Sequence, residues 1–158
     1  MQLSINRESL LKAINLIAKA ADKRHNMVIL GNIKLQLSES ALILTASDLE
    51  VELTSTLKLP AGACVEAGTT TLPAIKLKDI CKSLPAQAQV NLATQANERC
   101  LLTSGKSRFT LGTLPSEDYP SLGNPENITP LTISRNRLID LIHKTQFAMA
   151  IQDVRYYL

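Results

Sequence analysis

The amino-acid sequence predicts an α+β fold made from a duplicated unit of strand, helix and antiparallel sheet, with the helices on one face. Three observations predict it. Apolar residues recur at helical spacing in only three short stretches, and nearly everything between them alternates at period two or is broken by turn residues. The order strand, helix, strands comes round again after about 65 residues, as a repeat of pattern without sequence identity. The composition also suits it: 45% hydrophobic and 20% charged residues describe a folded chain, and 3% aromatics with no Trp require an aliphatic core.

The elements follow in order. Leu3 and Ile5 alternate with polar neighbours as a short strand, and Asn6 is placed to cap a helix carrying Glu8 in its first turn. From Arg7 to about Arg24, the residues Leu10, Leu11, Ile14, Ile17, Ala18 and Ala21 form one apolar face. Met27–Leu30, Ile33–Leu37, Leu42–Ala46 and Val51–Leu59 read as strands, with a tight turn at Ser38–Ser40 and loops punctuated by Pro60, Gly62 and Gly68. The second copy opens with Thr69–Leu72 and Pro73. A helix follows with Leu77, Ile80, Cys81 and Leu84 on one stripe, then strands at Val90–Leu92, Cys100–Thr103 and Phe109–Leu114.

Four prolines between Pro115 and Pro130 mark a linker or extended crossover. A third copy then begins, with a strand at Leu131–Ile133, a cap at Ser134, and a helix through Leu138, Leu141 and Ile142 to about Phe147. The sequence thus divides into a first domain, residues 1–127, and the opening of a second, residues 128–158. With 158 residues there is room for little more. The third copy lacks the sheet that would cover its apolar face, so the chain is expected to be a fragment.

The charges are unevenly placed. Of the 17 Lys and Arg, 11 fall in or beside the three helices: Arg7, Lys12, Lys19, Lys23, Arg24, Lys76, Lys78, Lys82, Arg135, Arg137 and Lys144. Only Glu8, Asp22, Asp79 and Asp140 share those segments. Lys is a good helix former and often fills solvent positions, but three helices biased alike suit a polyanion backbone. No helix before Phe147 offers an aromatic, so such a surface would hold phosphates without reading bases.

Catalytic chemistry finds little to stand on. There is no glycine-rich phosphate loop, and His25 and His143 lack partners at ligand spacing. Asp48, Glu50 and Glu52, read as one strand face, are candidates for Mg²⁺ but more simply a solvated acidic face. Three cysteines without CxxC spacing (Cys64, Cys81, Cys100) read as buried free thiols. No cofactor or metal is expected, and the chain does not read as an enzyme. The start lacks an apolar signal core and no run is suited to span a membrane, which predicts a cytoplasmic protein with no membrane partner.

Four blocks carry a more specific signal: VILGNIKLQL from Val28, LTASDLEVEL from Leu44, SGKSRFTLGTLP from Ser104 and QFAMAIQDVRYYL from Gln146. Together they resemble the bacterial DNA polymerase III beta subunit, the sliding clamp, along essentially the whole chain. The resemblance implies a DNA-clamp fold of repeated units, a homodimeric ring in the full-length protein, and helices lining a hole around duplex DNA. Its role would be that of a processivity factor in DNA replication, with polymerase and clamp-loader subunits held through short peptide motifs.

By the same resemblance, Arg24, Gln152, Tyr156 and Tyr157 match DNA-binding positions. Arg155 and Leu158 match the partner-peptide cleft, and Lys76, Arg99, Lys106 and Arg108 the ring dimer interface. Where the family's well-studied member places an Arg at the start of the second helix, this chain has Ile75, followed by Lys76. A fragment could not close a ring by itself. The alternative left open is a free-standing basic, sequence-nonspecific nucleic-acid-binding module; a thiol or metal enzyme using Cys81, Cys100 or Asp48 is the poorest reading.

Overall fold

The computed structural model describes residues 1–21, 27–123 and 129–149. It divides into two compact units, Met1–Leu122 and Gly123–Leu158, which are treated separately.

In the first unit, β1 (Gln2–Asn6) leads directly into α1 (Arg7–Ile17). The Asn6 side chain accepts hydrogen bonds from the backbone N–H of Glu8 (2.9 Å) and Ser9 (3.4 Å), satisfying two of the donors left open at the helix start. Strands β2 (Asn32–Leu37), β3 (Ala41–Ser47) and β4 (Glu52–Lys58) then form an antiparallel meander. The short β5 (Cys64–Glu66) precedes the second copy: β6 (Gly68–Pro73), α2 (Ala74–Ser83), β7 (Gln89–Gln95), β8 (Arg99–Ser104) and β9 (Ser107–Gly112).

The two copies exchange their first strands. One sheet has the order β5-β1-β7-β8-β9 and the other β4-β3-β2-β6, so each meander is completed by the leading strand of the other copy. Register places like with like: Leu3 opposite Leu92, Ile5 opposite Val90, Leu92 opposite Leu102, and Leu35 opposite Leu44. Side chains alternate across a strand, so these pairs set one apolar face on each sheet.

Both helices cover those faces. Leu10, Ala13, Ile14 and Ile17 of α1 and Ala74, Leu77 and Cys81 of α2 join the inward residues of both sheets in a single aliphatic core. Each fully buried Leu or Ile contributes about 1.5–3 kcal/mol of transfer free energy, and this core needs no aromatic residue. Met1 is itself buried. Its amino group donates to Thr94 Oγ1 (2.8 Å) and lies 3.5 Å from the Glu66 carboxylate. A Cβ at position 68 would stand 3.1 Å from Met1 Cβ, which accounts for Gly68 there.

Beyond β9, the segment after Pro115 is a strap rather than a free linker. Tyr119 is buried; its hydroxyl donates to the Asn32 carbonyl (3.3 Å) and accepts from the Ser47 N–H (3.1 Å). The Leu122 N–H donates to Glu52 Oε2 (3.3 Å).

Several sequence-based expectations change. Val28–Gly31 is a 3-10 turn, not part of a strand: the Leu30 N–H donates to the Met27 carbonyl (3.1 Å) and the Asn32 N–H to the Ile29 carbonyl, so the backbone bonds locally while Ile29 and Leu30 are both buried. β5 lies within a stretch read as loop. The first helix is regular only to Ile17, with turns continuing it to Ala20.

In the second unit, α3 (Arg135–Thr145) starts where expected, with Ser134 Oγ accepting from the Arg137 N–H (3.4 Å), and is followed by a 3-10 turn at Gln146–Ala148. Leu131–Ile133 forms no strand: Leu131 is 87% exposed, and a strand needs a neighbour to pair its backbone. The apolar stripe Leu138, Leu141 and Ile142 is present but roughly half exposed.

Candidate nucleic-acid interface

The helical layer of the first unit carries the cations. Burying Leu10, Ile14 and Ile17 turns Glu8, Lys12, Asn15 and Leu16 of α1 to solvent, with Lys19 just beyond the helix. Burying Leu77 and Cys81 likewise turns out Ile75, Lys76, Asp79, Lys82 and Ser83 of α2. Beside α1 the surface is an open depression of about 440 Å³ lined by Arg7, Glu8, Leu11, Lys12, Asn15 and Leu16. A depression this open does not enclose a small molecule.

The free positive charge is smaller than the sequence count suggests. Arg7 is already engaged: its Nε donates to the Cys81 carbonyl at 2.6 Å and an Nη to the Lys82 carbonyl at 3.2 Å. These are carbonyls at the C-terminal end of α2, where a cation is favoured by unsatisfied acceptors and by the helix dipole. Arg7 therefore ties the start of α1 to the end of α2. Lys78 is half-buried, and Lys23 lies outside the described residues. Among the described residues, the outward cations left on these two helical segments are Lys12, Lys19, Lys76 and Lys82, with Glu8 and Asp79 among them.

A second basic group lies on a different element. Arg99 begins β8, Lys106 sits in the β8–β9 turn, and Arg108 is on β9, the edge strand of its sheet. Arg99 and Thr103 are four residues apart on one strand and share a face, and Arg108 stands opposite Thr103. Cys100 and Leu102 point to the core, so both arginines belong to the outer face. The structure thus brings three of the four expected dimer-interface residues to one hairpin; Lys76 is exposed on α2. Arg24, Gln152, Arg155, Tyr156, Tyr157 and Leu158 lie outside the described residues. In the second unit, Lys144 pairs with Asp140 at 2.8 Å while Arg135 and Arg137 are exposed.

The acidic trio does not form the expected strand face. Asp48 and Glu50 lie in the β3–β4 loop, where Asp48 Oδ1 accepts from the N–H of Glu50 (3.0 Å) and Val51 (2.7 Å). Only Glu52 is on the strand. Asp48 is a turn-forming residue, and the local hydrogen bonds explain why the sequence has Asp there. Among the described residues, no three His, Cys, Asp or Glu side chains are grouped to hold a metal ion, and no helix is long and apolar enough to cross a membrane.

Two helices backed by two sheets with exchanged strands, and lysines on the outer side of the helices, define the class: an α+β DNA-clamp domain. Comparison with known proteins assigns the family. Residues 1–123 match the family model of the DNA polymerase III beta subunit, N-terminal domain. The chain is 42% identical to the beta sliding clamp of Haemophilus influenzae and 40% identical to that of Escherichia coli K12, in both cases over all 158 residues. The crystal structure of the DNA polymerase III subunit beta from Pseudomonas aeruginosa superposes with a TM-score of 0.90 at 41% identity, covering the whole chain. This chain belongs to the DNA polymerase III beta subunit family. It spans 42% of the length of each of those relatives. Because they match it from end to end, the reading as a free-standing basic module has no support.

Proposed function

We propose that this chain is the opening part of a ring-forming DNA sliding clamp, a non-enzymatic, cytoplasmic processivity factor that tethers the replicative polymerase to duplex DNA. Residues 1–127 would be its first clamp domain and residues 128–158 the beginning of the second. The observation that carries the reading is the α1–α2 layer, whose lysines face away from a core shared by both sheets. Cations on mobile stems, with no aromatic beside them and Asn15 as the one amide on the described outer face of α1, hold a phosphate backbone in many equivalent positions, as sliding requires.

In this reading Arg24, Gln152, Tyr156 and Tyr157 contact DNA, and Arg155 and Leu158 belong to the cleft that takes short peptides from polymerase and clamp-loader proteins. Lys76, Arg99, Lys106 and Arg108 meet an acidic edge of a second subunit in a homodimeric ring. The exposed edge of β9 beside Arg108 supports that role, since an edge strand has backbone groups free to pair with another chain.

The test joins this chain to the remaining residues of the Pseudomonas aeruginosa clamp and loads it onto nicked circular DNA. The expected result is retention through gel filtration and release when the circle is cut. Replacing Arg24 and Gln152 together by Ala should lower loading. Equal retention on linear and circular DNA would overturn the reading.

A further inference from the structure

Each helix of the first unit carries a carboxylate in the same stripe as its lysines. Asp79 stands three residues from Lys76 and three from Lys82, one helical turn in either direction, and all three are exposed. Glu8 stands four residues before Lys12 on α1, again with both exposed. The arrangement therefore occurs in both copies of a unit whose sequences have otherwise diverged.

Neither acid is held in an ion pair: among the described residues the salt bridges are those of Met1 with Glu66 and of Lys144 with Asp140. Glu8 has a separate use, favouring the first turn of α1 through the helix dipole. Asp79 lies within α2, where that benefit is gone. Its position is unfavourable for a surface whose one task is to bind a polyanion, because it repels phosphate and attracts the two lysines that would meet it.

We infer that Asp79, seconded by Glu8, limits how tightly the helical face holds DNA, keeping lysine–phosphate contacts weak enough to break as the protein moves along the duplex. This rests on the reading of the α1–α2 layer as the DNA face, and adds to it residues whose role is to oppose binding. In kinetic terms, removing the carboxylate deepens each phosphate contact and so raises the barrier between neighbouring positions.

The experiment uses the 158-residue chain and a fluorescent 30-base-pair duplex, with binding followed by anisotropy from about 20 to 200 mM salt. Asp79→Asn is expected to tighten binding about two- to fivefold at the low-salt end, the difference shrinking as screening shortens the range of the charge. The slope of log K against log salt should steepen by up to about 0.9, one additional neutralised phosphate. Glu8→Gln should act in the same direction, and circular dichroism shows whether each variant is folded. Lys82→Gln separates the two levels of the argument. If Lys82→Gln weakens binding while Asp79→Asn leaves it unchanged, the inference is overturned and the DNA face stands. If Lys82→Gln also changes nothing, α2 is not part of the DNA face and the inference falls with it. If the unmodified chain does not bind, the same variants are compared in the ring joined to the remaining Pseudomonas aeruginosa clamp residues, where unchanged DNA retention across salt by Asp79→Asn overturns the inference.

Discussion

At Cys81 and Cys100 burial pushes the thiol pKa up to about 11. Smaller opposing pulls come from Arg7 at Cys81, and from a backbone hydrogen bond at Ala93 and the terminal amine at Cys100. A thiol in the unfolded chain titrates near about 8.5. The folded state therefore binds these protons more tightly. The resulting stability is fully present below about pH 8.5 and is lost as pH rises toward 11. The denaturation midpoint should accordingly fall between about pH 8 and 10.5, less steeply in a Cys81→Ala, Cys100→Ala variant. At neutral pH, Ellman's reagent should reach half-buried Cys64 in the folded protein and all three thiols after unfolding. Equal reactivity of the three in the native state would contradict the burial. Arg7 teaches a related lesson, since the sequence marks it as one more helix cation and only tertiary structure shows it spent on the carbonyls of α2.

Among the elements, the strap around Tyr119 has the most to lose from one atom. Its hydroxyl serves a buried N–H on β3 and a carbonyl on β2 at once, and burial raises the phenol pKa. Tyr119→Phe keeps the ring but strands the Ser47 N–H, and should cost about 1–3 kcal/mol in urea denaturation. A loss below about 0.5 kcal/mol would mean the strap is held by packing alone. Helices α1, α2 and α3 were legible because apolar stripes, the caps Asn6 and Ser134, and a Pro at the start of α2 are local signals. The 3-10 turn at Val28–Gly31 and the strand β5 were not, since short apolar runs take their conformation from whatever they pack against. Leu49 belongs with them. It adopts φ 76° in a loop fixed by Ser47 and Asp48, a left-handed position for which sequence gives no Gly or Asn signal.

For the whole molecule, the first unit has its own core: among the described residues, every member of the main cluster lies between Met1 and Leu111. Residues 1–122 expressed alone should unfold in one cooperative transition, with Tm within about 3 °C of the 158-residue chain. A broad or much lower transition would show that the unit needs the residues after it. The duplicated pattern and the fold class were readable from periodicity, and the family from four sequence blocks. The exchange of first strands was not, because register and partner choice are long-range properties that no local pattern states. The opposing charges on the helical face are legible only in part: the sequence places Glu8 and Asp79 among lysines, where an acid looks like ordinary solvation, and that neither is in an ion pair among the described residues is visible only in three dimensions.

The exchanged strands also govern the order in which the chain can become a protein. As residues emerge from synthesis, β2, β3 and β4 can fold against one another at once through short turns. β1, the first strand made, pairs on one side with β5 and on the other with β7, so Leu3 waits for Leu92 before its sheet can close. Pairing across such a separation is slow, and exposed apolar edges are vulnerable until it is done. The beginning of the chain is thus among the last parts to find its place.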